Sequence, residues 1–283
     1  MTAKKIKLIY LLGTSFSGST LTGYLIGASG RVFNAGEFML FSRKKSIGEI
    51  PCFCGEKNRD CGFWKKMDLA HARLYSKPDR KTMAILLARL VLGKSLCPVF
   101  KRGAWDDIRF CRDLLENMKT KDGESTVILD ASKSLFRLMY LNCTGAFDIR
   151  VVYIKRDLLG NMASFVKNKD SIFKGFANYK LNHFFMPLFL KRHRLSHHFL
   201  SYTCLCRSPD RELQRLGRFL DMPLSYDTVC RDIRKRRFHV FTGSNTRIQF
   251  RDFKGIQYDQ SWKTRLSRFQ QRLLRLVAGR SER

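Results

Sequence analysis

LIYLLGTSFSGSTLTGYLIG, residues 8–27, decides how the rest of the chain is read. Apolar residues run from Ile6 to Leu12 and stop at Gly13; a loop of glycine and small hydroxyl residues follows. Apolar residues then return at helical spacing, with Leu21, Tyr24 and Leu25 on one face. The pattern predicts a buried strand over 6–12 and a helix over 20–27. In that order the loop N–H groups and the positive end of the helix both face an anion. Gly13, Gly18, Ser19 and Thr20 follow the phosphate-loop spacing G-x-x-x-x-G-K-[ST], except that Ser19 stands where the lysine belongs. In kinases and ATPases that lysine reaches the β- and γ-phosphates, so its absence argues against γ-phosphate chemistry.

Working outward, Val32–Asn34, Ser125–Asp130 and Ile149–Asp157 read as further strands. Helices are predicted around 81–92 and 105–119, and RELQRLGRFLDMPL before Ser225 reads as a core helix stopped by Pro223. Alternating strands and helices predict an α/β fold with a central parallel sheet covered by helices on both faces. Ligands of such sheets sit at the carboxyl ends of the strands. Those ends are Gly13 onward, Glu37, Asp130 to Lys133, and Arg156. Residues 1–283 are expected to form one domain, with a substrate or lid insertion at 38–110. Residues 170–200 are rich in Phe and His and show little period.

SFSGSTL resembles the 5′-phosphosulfate loop of the sulfotransferase superfamily, which binds 3′-phosphoadenosine 5′-phosphosulfate (PAPS) on a phosphate-loop fold; the branch it looks most like is the bacterial and tyrosylprotein type. The resemblance implies that Ser15, Phe16, Ser17, Gly18, Ser19 and Thr20 cradle the phosphosulfate. The second family hallmark, an arginine at a strand end followed eight residues later by a serine, is matched by Arg156 and Ser164 in RDLLGNMAS. Together these two would grip the 3′-phosphate, the guanidinium fork suiting a dianion. Fainter likenesses nominate Tyr202 near the adenine, and Gly243, Asn245 and Arg247 in HVFTGSNTR as an element closing over the nucleotide.

The chain also departs from the family. The loop cation that meets the transferring sulfuryl group is replaced by Phe16, and Lys133, in LDASKS at a strand end, is the natural substitute. Sulfuryl transfer mainly needs charge stabilisation and in-line positioning. Glu37, in GEF, resembles the family element that carries the general base; a carboxylate there would take the proton of an acceptor hydroxyl. Histidines between 183 and 198 are the rival base. The scheme calls for PAPS as co-substrate and a hydroxyl-bearing acceptor, a glycan, glycolipid, peptide tyrosine or small molecule, and expects no metal. The enzyme rival is a divergent phosphate-loop kinase using Asp130 on magnesium.

Composition frames these readings. With 54 Lys+Arg against 24 Asp+Glu the net charge is +30, which favours anionic partners. A basic nucleic-acid-binding protein, suggested also by KRRFH at 235–239, ranks third because it leaves the loop and Arg156 without a role. No stretch reaches the roughly 18 uncharged apolar residues of a membrane span, and the N-terminal apolar run is too short for a secretory core. The expectation is a soluble cytoplasmic chain. The tail at 261–283 predicts a basic amphipathic helix with Leu266, Phe269, Leu273 and Leu276 on one face. A packed helix is favoured there over peripheral contact with an acidic membrane. Nine cysteines cannot all pair internally, and the thiols are expected to stay reduced. Cys52, Cys54 and Cys61, with Cys204 and Cys206, offer thiolates for zinc, but two pieces so far apart lack the usual spacing, and buried thiols in a lid are the favoured reading.

Overall fold

The computed structural model describes residues 4–42, 47–69, 72–75, 77–100, 106–119, 126–241, 253 and 255–278. Five strands form one sheet: β1 (Ile6–Gly13), β2 (Val32–Gly36), β3 (Val127–Lys133), β4 (Phe147–Lys155) and β5 (His197–Ser201). Their order is β2-β3-β1-β4-β5, and every pairing is parallel. All five carboxyl ends therefore lie along the same rim.

The strand at the centre explains the apolar run that opened the sequence. Leu8, Tyr10 and Leu12 enter one core layer and Ile9 and Leu11 the other, all at most 2 % exposed. A strand buried on both faces loses the polar-apolar alternation of a half-exposed one. Each such side chain contributes roughly 1.5–3 kcal/mol of transfer free energy.

Helix α1 (Ser19–Gly27) follows the loop; α2 (Arg80–Val91) and α3 (Asp107–Lys119) lie between β2 and β3, and α4 (Leu135–Thr144) links β3 to β4. Next come α5 (Leu158–Lys167) and α6 (Ile172–Arg192), then α7 (Tyr202–Arg207), α8 (Pro209–Leu220), α9 (Tyr226–Lys235), α10 (Trp262–Arg265) and α11 (Arg268–Ala278). Side chains cap several of them: Ser134 accepts from Arg137 N, Asp157 from Gly160 N and Ser225 from Thr228 N.

Three expectations are corrected. Residues 170–200 are not irregular: they form α6, 21 residues long, and then the edge strand β5. The buried stripe of α6, Gly175, Tyr179, Met186 and Leu190, does have helical spacing. It is masked in sequence by Phe173, Leu181 and Phe184, which are more than half exposed, and by the internal Pro187. The tail is two pieces instead of one helix. Ser267 Oγ accepts from Gln270 N while Gln270 Oε1 accepts from Ser267 N, a reciprocal capping box that starts α11 afresh. Leu266 and Leu274 bury, whereas Phe269 and Leu276 are more than 70 % exposed, so the stripe read as a packed face points largely outward. Finally, Cys97 and Cys143 form a disulfide, so the expectation of reduced thiols fails at that pair. Among the described residues no helix is long and apolar enough to cross a membrane.

Candidate active site

Because β1, β2, β3 and β4 end on one rim, the residues that follow them face a common cleft of about 1170 Å³. Its walls include Ser15, Phe16, Gly18, Ser19 and Thr20 from the loop, Glu37 after β2, Lys133 at the end of β3, and Arg156 and Ser164 from β4 and α5. The loop, Glu37, Lys133 and Arg156, all read from strand ends, thus open on one space.

The loop is held in place by its surroundings. Gly18 caps α1 in the left-handed region at φ 93°, and a Cβ there would lie 2.3 Å from the Tyr202 ring. Asn161 of α5 donates to Thr14 Oγ1 at 3.3 Å and to Ser15 O at 2.8 Å, tying the loop to the neighbouring helix. Phe16 also sits at positive φ, 63°, a conformation costly for a bulky residue. Its ring packs edge-on against Phe165, and its carbonyl accepts from Arg156 Nη1 at 3.4 Å. Phe16 therefore brings a backbone acceptor and an apolar wall where a cation would otherwise stand.

Arg156 is 7 % exposed. Its Nη1 donates to Ser164 Oγ at 3.2 Å and its Nη2 pairs with Asp259 at 3.2 Å, while Nε finds no partner among the described residues. The Asp259 carboxyl is pushed up by partial burial but pulled below its ordinary value by donors from Ser261 and Arg156. Tyr202 does not line the cleft: it packs under the guanidinium, 4.9 Å from ring centroid to Cζ, and against Gly18. Ser17 is likewise fully buried, with Oγ turned toward Gly13. Gly243, Asn245 and Arg247 lie outside the described residues.

Across the cleft, Lys133 Nζ donates to Glu37 Oε1 at 2.5 Å. Both residues depend on special backbone. Lys133 has φ 63° and ends β3 abruptly. Gly36, at φ 81°, lets the chain turn so that Glu37 N donates to Phe241 O at 3.0 Å; a Cβ on Gly36 would fall 1.8 Å from that oxygen. Phe241 N in turn donates to Ala35 O at 3.2 Å. Phe241 belongs to HVFTGSNTR, the stretch singled out in the sequence as closing over the nucleotide; its bond to Glu37, some 200 residues away, carries no local sequence signal.

Asp130 does not face the cleft. It is fully buried, accepting from Ser132 Oγ and pairing with Arg137 Nε at 2.6 Å, and Arg137 pairs also with Asp107 at 2.7 Å. Its oxygens are committed to a structural network, which removes the magnesium ligand of the kinase reading. No histidine among the described residues lines the cleft. His183 is hydrogen-bonded to the Tyr153 hydroxyl; burial and the nearby Lys155 and Lys180 hold its imidazole down to about 3. In the basic run at 235–239, Arg236 Nη2 donates to Gly30 O and Arg237 pairs with Glu56 at 3.8 Å, while Lys235 is exposed. The thiols of Cys52, Cys54 and Cys61 gather with His239, and not with Cys204 and Cys206.

The fold aligns with a solved sulfotransferase domain from the curacin biosynthetic pathway, TM-score 0.53 over 98% of this chain and 99% of that one, at 15% identity. The chain has the sulfotransferase fold. Weaker alignments of the same kind reach a sulfotransferase domain of the Synechococcus olefin synthase, 13% identical with TM-score 0.49 over 93% and 88% of the two chains. Another reaches a retinol dehydratase in complex with androsterone and inactive cofactor PAP, 14% identical with TM-score 0.43 over 96% and 79%. No protein-family model and no curated protein matches the sequence. At such identities the sulfotransferase fold is shared while individual side chains need not be, so the site residues rest on the geometry above.

Proposed function

We propose that the chain transfers a sulfuryl group from PAPS to an acceptor hydroxyl. The observation that carries the reading is the convergence of the lysine-free phosphate loop, the Arg156–Ser164 pair and the Lys133–Glu37 pair on one cleft. The phosphosulfate would lie on the loop amides and the α1 N-terminus. The 3′-phosphate would take Ser164 and the Arg156 guanidinium, whose Nε has no partner among the described residues and whose bond to the half-exposed Asp259 is exchangeable. Tyr202 supports both from behind, packed under the Arg156 guanidinium and against Gly18.

In the reaction the acceptor oxygen forms a bond to sulfur as the bond from sulfur to the bridging phosphate oxygen breaks. Glu37 takes the acceptor's proton, and Lys133 meets the charge that develops on the departing phosphate. The two are hydrogen-bonded to each other, so substrate entry would divide the pair between nucleophile and leaving group. Adenosine 3′,5′-bisphosphate is the second product. Segments 38–110 and 170–200 supply Leu40, Met83 and Leu87 on one wall and Leu181 and Phe185 on another, a partly apolar acceptor side.

Incubating the protein with radiolabelled PAPS and fractionated cell extracts tests the reading. Transfer of label to a hydroxyl-bearing compound is expected; label retained wholly in PAPS with every fraction would contradict it.

A further inference from the structure

Outside the cleft, the structure draws three thiols and an imidazole into one cluster. Cys52, Cys54 and Cys61 come from a loop between β2 and α2, and His239 follows α9, 178 residues after Cys61. The ligating atoms of all four lie within 4.8 Å of one another. Cys54 Sγ is 3.6 Å from Cys61 Sγ, and His239 Nδ1 is 3.1 Å from Cys61 Sγ and 3.8 Å from Cys52 Sγ. A tetrahedral zinc with bonds of about 2.3 Å to sulfur and 2.0–2.1 Å to nitrogen requires edges of roughly 3.8 Å between sulfurs and 3.6 Å from sulfur to nitrogen. These three separations fall within about half an ångström of those edges, and the remaining pairs stay within 4.8 Å, so small side-chain shifts bring all four atoms to one ion.

The local backbone is shaped for the same purpose. Gly55, at φ 101°, closes a turn in which Gly55 N donates to Cys52 O at 3.0 Å. Cys52 N donates to Glu56 O at 2.7 Å and Cys61 N to Lys57 O at 2.8 Å, so the loop returns each cysteine to the same place. Cys52 and Cys61 are buried, and Phe63 stacks on the His239 ring at 19°. None of the three thiols is in a disulfide.

We propose that Cys52, Cys54, Cys61 and His239 form a structural zinc site. Three thiolates and one imidazole suit zinc in preference to magnesium or calcium, and four protein ligands leave no open position for a substrate. Binding releases the thiol protons to solvent and closes a loop that joins the segment after β2 to the segment after α9. The position gives the ion a consequence at the cleft. Two residues beyond His239, the Phe241 carbonyl accepts the Glu37 N–H. Zinc thereby anchors the chain that presents Glu37 without touching the reacting groups.

Elemental analysis by plasma mass spectrometry on full-length protein, purified under reducing conditions without chelator, tests the site. About one zinc per chain is expected, kept in a Cys204→Ser, Cys206→Ser control and lost in Cys61→Ser. Should Cys61→Ser fail to fold, cobalt(II) substitution of the wild type gives an independent reading, with thiolate-to-cobalt charge-transfer and tetrahedral ligand-field bands. His239→Cys should keep the metal and strengthen the charge-transfer band, because a fourth thiolate joins the ion. A soluble chain that carries no zinc and shows no such bands after cobalt addition would overturn the proposal. So would a Cys54–Cys61 disulfide in the reduced preparation, or metal lost from the Cys204→Ser, Cys206→Ser control. These measurements do not involve transfer activity and stand apart from the sulfotransferase reading.

Discussion

Lys133 and Glu37 approach to 2.5 Å from the ends of two different strands, with only 17% and 16% of their side chains exposed. A cation and a carboxylate are thereby held at the rim where the loop also opens. If Lys133 serves the leaving phosphate, Lys133→Ala should lower turnover by about a hundredfold or more, the usual effect of losing one charge-stabilising donor. Affinity for adenosine 3′,5′-bisphosphate should change far less. Phe16→Arg in the same chain should restore part of the rate by returning a cation to the loop. Initial rates with radiolabelled PAPS check this, and a normal rate in Lys133→Ala would remove the residue from the chemistry.

Glu37→Gln keeps the shape of the side chain and a partner for Lys133 but cannot accept the acceptor's proton. Transfer should fall by about a hundred- to ten-thousandfold, with nucleotide binding preserved. Single-turnover rates beside calorimetric titration of adenosine 3′,5′-bisphosphate separate the two effects. Equal rates in variant and wild type would move the search for a base away from this strand end.

The turn before Glu37 is the position least tolerant of a side chain. Gly36→Ala places a Cβ 1.8 Å from the Phe241 carbonyl at a φ of 81°, so the bridge to Phe241 must open. Strain of this kind costs on the order of 1–3 kcal/mol or more, read as a lowered urea midpoint. Transfer should suffer beyond the loss of folded protein. An unchanged midpoint would mean that the segment after α9 does not hold this turn.

His183 makes stability sensitive to mild acid. Burial, with Lys155 and Lys180, lowers its imidazole from 6.5 to about 3, so the unfolded chain binds this proton before the folded one does. Its penalty is absent above the unfolded value and grows as the pH falls from there toward the folded one. Denaturation midpoints of the wild type should decline through that window, and those of His183→Phe should decline less steeply. Parallel curves would assign the acid sensitivity to other groups.

Much of the sheet was legible in the sequence because fully buried parallel strands leave apolar runs that end at glycine or at polar clusters. Leu8–Leu12 in β1 and Val151–Ile154 in β4 are such runs. The same strand ends pointed to Glu37, Lys133 and Arg156, since the carboxyl rim follows from strand direction alone. Helix α6 was not legible: its exposed Phe173 and Phe184 fill the polar side of the pattern with apolar residues. Edge strand β5 was hidden because His197 and His198 dilute its apolar signal. Contacts that join distant segments, Asp259 with Arg156 and His239 with Cys61, carry no local periodicity and emerge only from the fold. Tyr202 was noticed by resemblance, but its place behind the loop depends on how α7 packs against Gly18.

The loop and the Arg156–Ser164 pair on one cleft predict recognition of a nucleotide carrying both 5′ and 3′ anions. Isothermal titration calorimetry comparing adenosine 3′,5′-bisphosphate with AMP tests it without knowledge of the acceptor. The charge-assisted bonds from Arg156 and Ser164 to the 3′-phosphate should be worth about 1.5–3 kcal/mol, or roughly ten- to a hundredfold tighter binding of the bisphosphate. Arg156→Gln should erase most of that difference. Equal affinity of the wild type for the two nucleotides, or no binding of either, would contradict the account.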